Sequence, residues 1–95
     1  MDEFLARQFS VLQKLINDYR QKAVSLNALI QRIEGVTGVL GNHTWSDAVF
    51  PIVLSLEQVN AATLEARREL TAVEAAAVES SLLELKALIK SFEAG

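Results

Sequence analysis

From Trp45 to Leu64 the chain reads WSDAVFPIVLSLEQVNAATL, with Trp45, Val49, Ile52, Leu56, Val59 and Thr63 spaced 4, 3, 4, 3 and 4 residues apart. That spacing lines them along one stripe of a helix. Phe50, Leu54 and Ala61 form a second stripe on the other flank. A surface helix keeps one apolar face and a polar face opposite. A helix apolar on two sides is therefore either central in its domain or half-covered and open to a partner. In a small bundle such a helix is expected to act as the hub and touch all the others.

The same periodicity predicts helix over residues 2–22, where Leu5, Phe9, Leu12, Ile16 and Tyr19 form a face broadened by Val11 and Leu15. Asp2 and Glu3 sit at its positive end, Arg20 and Lys22 at its negative end, as the macrodipole favours. Ser25 is placed to N-cap a short second helix built on Leu26, Leu29, Ile30 and Ile33, with Gly35 taking the left-handed position that ends it. GVTGVLGNHT, residues 35–44, then reads as the one real loop, tucked over an end of the bundle by Val36, Val39 and Leu40.

Thr44 followed by Asp47 resembles a helix start. Pro51 lies well inside the third helix, where it removes a backbone hydrogen bond and clashes one turn back. A kink near Asp47, or a break just before Pro51, is expected, and the long piece should continue to about Glu69. Thr71-Ala-Val-Glu74 is a capping box that opens the fourth helix, whose buried stripe is Val78, Leu82, Leu85, Ile89 and Phe92, reinforced by Leu88. The expected fold is all-α: a compact antiparallel four-helix bundle with a short second helix and a Pro-kinked third, as one domain over residues 1–95.

Composition strengthens the helical assignment. There are four glycines and one proline in 95 residues, so turns are few and elements long. The absence of cysteine excludes a disulfide framework, a thiolate nucleophile and a cysteine-ligated zinc site. MDEFLARQF opens with acids, unlike a signal or transit peptide, and no run of about 18 uncharged apolar residues is present to cross a bilayer. A soluble, cytoplasmic protein without a membrane partner is the expectation. The net charge of −3 is unevenly spread, being +1 over residues 1–34 and −4 over residues 35–95. An acidic half repels phosphate backbones, which disfavours direct nucleic-acid binding and favours a basic protein partner.

No catalytic constellation emerges. His43 is the only histidine, flanked by Asn42 and Thr44 in the expected loop with Asp47 as the nearest acid, so it lacks the helical carboxylate neighbours of a metal site. None of the serines stands in G-x-S-x-G. The G-x-x-G-x-x-G run from Gly35 has the wrong spacing for a phosphate loop and no Lys-Ser/Thr after it. No cofactor or metal is expected, and the chain is read as a non-enzyme.

The candidate partner-binding residues are Trp45, Phe50 and Leu54 as apolar anchors and Glu57, Glu65, Glu69, Glu74 and Glu79 as steering acids. Trp45 divides between a core anchor at a helix start and an exposed interface aromatic. Glu65 and Glu69 are four apart on the third helix near Arg68, the pattern of a solvated face. Glu57, beside Leu54 and Ala61, is expected either to pair with Arg7, Lys14 or Arg32 or to stay exposed for a basic ligand. The alternative use of the second stripe is self-association about a two-fold axis, which leaves monomer and homodimer both open.

The segments LNALIQRIEGV, residues 26–36, and LEQVNA, residues 56–61, taken with Trp45 and Phe50, resemble small helical bacterial immunity proteins of the colicin D and contact-dependent inhibition kind. The resemblance covers about the middle third of the chain and rests on packing residues. It implies a stand-alone helical protein that binds a toxin domain, often an RNA-cleaving one, and covers its active site. The acidic C-terminal half would then meet a basic nuclease surface, although −3 is a modest charge for that role.

Overall fold

A computed structural model describes residues 2–94. They form four α-helices: α1 Glu3–Arg20, α2 Leu26–Leu40, α3 His43–Ala66 and α4 Ala72–Ala94. The chain is all-α, as the periodicity predicts. Connections are short, and short connections make consecutive helices antiparallel neighbours. Side chains confirm the directions: Arg20 at the end of α1 pairs with Glu79 near the start of α4, and Asn60 late in α3 donates to Asn27 early in α2 at 3.0 Å.

The helices form a ring in which each packs on its neighbours in sequence and α1 closes against α4, with α1 and α3 facing across a diagonal. Helix α3 is thus one wall of four and not a hub. What does reach all the other helices is one side chain. Trp45 is fully buried, its ring lies 5.2 Å from Phe9 on α1 and 5.3 Å from Phe92 on α4, and its indole N–H donates to Thr37 on α2 at 3.0 Å. Around it the predicted stripes Leu12, Ile16, Leu29, Ile33, Leu56, Leu82, Leu85 and Ile89 interlock as a single core.

Local signals place most of the ends. Asp2 caps α1 through Phe4 N–H, and Ser25 caps α2 through Ala28 N–H at 3.1 Å. At α4 the capping box is complete: Thr71 Oγ1 accepts from Glu74 N–H at 3.1 Å and Glu74 Oε1 accepts from Thr71 N–H at 2.9 Å. These bonds satisfy donors that a helix start otherwise leaves open.

The expected loop at residues 35–44 is largely helix. Helix α2 runs through Gly35 and Gly38 and ends at Leu40, with Gly41 at φ +57° as its left-handed cap. Val36 is buried, Leu40 packs on the core and Thr37 holds the Trp45 indole, so tertiary contacts outweigh the low helix propensity of two glycines. The α3 cap is then Asn42, whose Oδ1 accepts from Trp45 N–H at 3.0 Å, and not Thr44. His43 becomes the first residue of α3.

Nor does the chain break before Pro51, for α3 continues through it. Pro51 and Asp47 are both exposed, on the side of the helix where a carbonyl without its donor can be solvated, while Val49, Ile52 and Val53 hold the turns around the proline against the core. Helix α3 stops at Ala66, three residues short of the expected Glu69, because Arg67 adopts φ +50°.

Candidate functional site

Between α2 and α3 lies a groove of about 290 Å³. Helix α3 supplies its apolar wall, Val49 and Val53 beneath with Phe50 and Leu54 along the outer edge, and Ser46 at one end. Helix α2 supplies Thr37 and Glu34, and Glu57 of α3 completes the rim. Phe50 is 63 % exposed and Leu54 42 % exposed, although the adjacent Val49 and Val53 are buried. The second stripe predicted for this helix, Phe50, Leu54 and Ala61, is therefore uncovered, whereas Val49 of the first stripe and the neighbouring Val53 belong to the core.

The polar end of the groove is unusual in its charge. Glu34 and Glu57 both line the groove, and the Glu34 pKa is raised, first by a side-chain hydrogen bond with Glu57, then by burial and by the negative charge of Glu57. Of the two alternatives for Glu57, pairing with Arg7, Lys14 or Arg32 does not form, and the residue is exposed. Among the described residues the ion pairs are Arg7 with Glu3, Lys14 with Asp18, Arg20 with Glu79 and Arg68 with Glu74, and none reaches the two acids in the groove.

The remaining candidate residues scatter. Trp45 is withdrawn from the surface, its apolar body enclosed by Phe9 and Phe92 and its one polar atom satisfied, so it offers nothing to a partner directly. Glu74 is held by Arg68 at 2.6 and 3.1 Å and by the Thr71 amide, and the guanidinium, then the backbone bond, lowers its pKa to about 2. Glu79 is committed to Arg20. Glu65 is exposed on the last turn of α3, whereas Glu69 lies beyond the helix in the α3–α4 connection, so these two do not share a helix face.

Larger clefts of about 570 and 640 Å³ open at the other end of the bundle, around the α1–α2 and α3–α4 connections. Charges of both signs line them: Arg20 pairs with Glu79 at one and Arg68 with Glu74 beside the other, while Lys22 borders both and Glu69 the second. Tyr19 lies between them with its phenol pKa raised by burial and then by Glu79. The smaller α2/α3 groove is the better candidate because its apolar edge is uncovered and its charge is unmatched.

Sequence reasoning singled out Phe50, Leu54 and Glu57 but missed Glu34. The signal was available: Glu34 follows Ile33 at the margin of the apolar face of α2, inside the segment LNALIQRIEGV. It was hidden by ending that helix at Gly35. Among the described residues no helix is long and apolar enough to cross a membrane, and no group of three or more His, Asp or Glu side chains is placed to hold a metal ion. No protein-family model, curated protein or solved structure matches this chain.

Proposed function

We propose that this chain is a non-enzymatic protein-binding module that receives its partner along the α2/α3 groove, with Phe50 and Leu54 as anchors. The observation that carries the reading is the open outer edge of α3, where an aromatic and a leucine stand in solvent directly over buried Val49 and Val53. An apolar strip with an acidic rim has the anatomy of a recognition patch, in which a few large side chains supply most of the binding energy and rim charges set orientation and encounter rate. The exposure of both rim carboxyls to water argues against acid–base chemistry, which depends on desolvated groups with separated pKa values.

Toxin occlusion is the specific form of this function that the immunity-protein resemblance implies. It is supported by placement: the segments at residues 26–36 and 56–61 contribute Glu34 and Glu57, one from each side of the groove. The net charge of −4 over residues 35–95 favours a basic domain as the partner. Self-association through the same face is less favoured, because a two-fold axis there would bring a second Glu34–Glu57 pair towards the first.

Capture with the tagged chain tests the proposal when the wild type is compared with Phe50→Asp/Leu54→Asp and with Leu83→Asp, an exposed apolar site on α4. One protein retained by the wild type and by Leu83→Asp, but lost from the groove variant, supports it. Equal retention on all three contradicts it. If the retained protein ends in a basic nuclease domain, inhibition of its activity by stoichiometric chain supports occlusion, and a fully active complex contradicts that form.

A further inference from the structure

We infer that the group seated against the Glu34–Glu57 pair in the bound state is an arginine of a helical partner segment, whose apolar side chains one turn away rest on Phe50 and Leu54. This inference rests on the reading of the groove as a protein-binding surface and names the chemistry of its occupant.

The first argument is that the chain cannot neutralise this pair itself. On a helix the neighbours of Glu34 are Ile30, Gln31, Thr37 and Gly38, and those of Glu57 are Val53, Leu54, Asn60 and Ala61, none of them basic. Arg32, the nearest cation in sequence, is two residues from Glu34 and points to another side of α2. Every ion pair among the described residues lies elsewhere. Two acidic groups are therefore held side by side with no basic partner from the chain, and neither residue is buried. A cation arriving from outside removes the repulsion and gains both partners at once.

The second argument distinguishes the cation. Two carboxyls from facing helices present their acceptors side by side on the rim of the slot between α2 and α3. A planar guanidinium carries donors along two edges and can bridge them, whereas an ammonium is a compact, strongly hydrated charge. The slot also borders Val49 and Val53, and a weakly hydrated guanidinium is the easier cation to place against apolar walls.

Shape supplies the third argument. A groove of about 290 Å³ is at the lower limit for a small-molecule site, and this one is open between two helices. It suits side chains projecting from an element that lies along it, the helix-in-groove mode read by anchors at i, i+3 and i+4. With the acids at one end and Phe50 and Leu54 along the edge, the complementary segment carries its basic residue a turn from its apolar ones.

Nuclear magnetic resonance titration with a synthetic amphipathic helical peptide tests this. The peptide carries one arginine a turn from two leucines, and its control replaces that arginine with citrulline, which keeps the shape and removes the charge. The expected result is amide shifts concentrated at Glu34, Val49, Phe50, Val53 and Glu57, with the citrulline peptide about tenfold weaker. In Glu34→Gln/Glu57→Gln the two peptides should bind alike, at the citrulline level, with the helical circular dichroism unchanged. Equal affinity of the two peptides for the wild-type groove overturns the arginine assignment and leaves the protein-binding reading standing, as does an arginine preference that survives in the double variant. No shift at the groove with either peptide overturns both.

Discussion

The indole N–H of Trp45 donates to the hydroxyl of Thr37 at 3.0 Å, so the one polar atom of the largest fully buried side chain is held by a residue of the groove wall. Core and candidate site therefore share a hydrogen bond. Thr37→Val keeps the volume and removes the acceptor, leaving a donor without a partner. It should cost about 1–2 kcal/mol of stability, measured as a lower urea midpoint at unchanged slope. Thr37→Ser, which keeps the hydroxyl, should cost less. Equal losses for the two variants would mean that the hydrogen bond contributes nothing.

The two internal glycines of α2 and its terminal one should respond in opposite directions. A Cβ at Gly38 meets no atom within 4 Å, so Gly38→Ala relieves the entropy cost of a mid-helix glycine and should stabilise by about 0.5–1 kcal/mol. Gly41 has equal space but a φ of +57°, and Gly41→Ala should destabilise by about 1 kcal/mol. Thermal unfolding of the two variants reads both signs, and a stabilising Gly41→Ala would rule out the left-handed cap.

Much of this arrangement is legible in the sequence, and the parts that are not share a cause. The Leu12 and Ile16 face, the Ser25 cap and the Thr71/Glu74 box depend on residues a turn apart, so local spacing suffices to place them. The course of residues 35–40 depends on Val36, Leu40 and Thr37 finding Trp45 and the core, which no local rule contains. Pro51 fits the same account, because a carbonyl on the exposed side of the helix can be solvated and packing on both sides keeps the helix whole. The open flank was visible as the surplus stripe Phe50 and Leu54. Glu34, its acidic counterpart, is across the groove on another helix, and its partnership with Glu57 could not be read along one chain segment.

Acid should weaken the α4 cap in a defined window. Glu74 titrates near 4.5 when unfolded and at about 2 when folded, so the stability it contributes is present above about pH 4.5 and lost as the pH falls towards 2. Glu74→Gln should flatten the loss of stability across that interval. Thr71→Ala should cost about 1 kcal/mol at neutral pH, a Tm lower by about 4–8 °C in a domain of this size. A wild type and Glu74→Gln with superimposable acid profiles would contradict the box as an electrostatic element.

Glu34 has the opposite sign. Its folded pKa lies above 4.5, so the folded state holds the proton more tightly and stability falls as the pH rises from about 4.5 through the folded value. Glu34→Gln removes the repulsion from Glu57 and should raise the Tm by about 1–2 °C at pH 7, the discount reflecting solvent screening of an exposed pair. The gain should shrink as the pH falls and Glu34 takes up its proton. A destabilising Glu34→Gln at pH 7 would mean that an unrecognised cation already satisfies the pair.

The most direct measurement of the central claim is site-specific photo-cross-linking in the cells that make the protein, with the reactive side chain at position 50 on the groove edge or at position 83 on the exposed side of α4. The account predicts one heterologous protein joined at position 50, not at position 83, and lost when Leu54→Asp is added. The same adducts from both positions, adducts only with a second copy of this chain, or none at position 50 would contradict it.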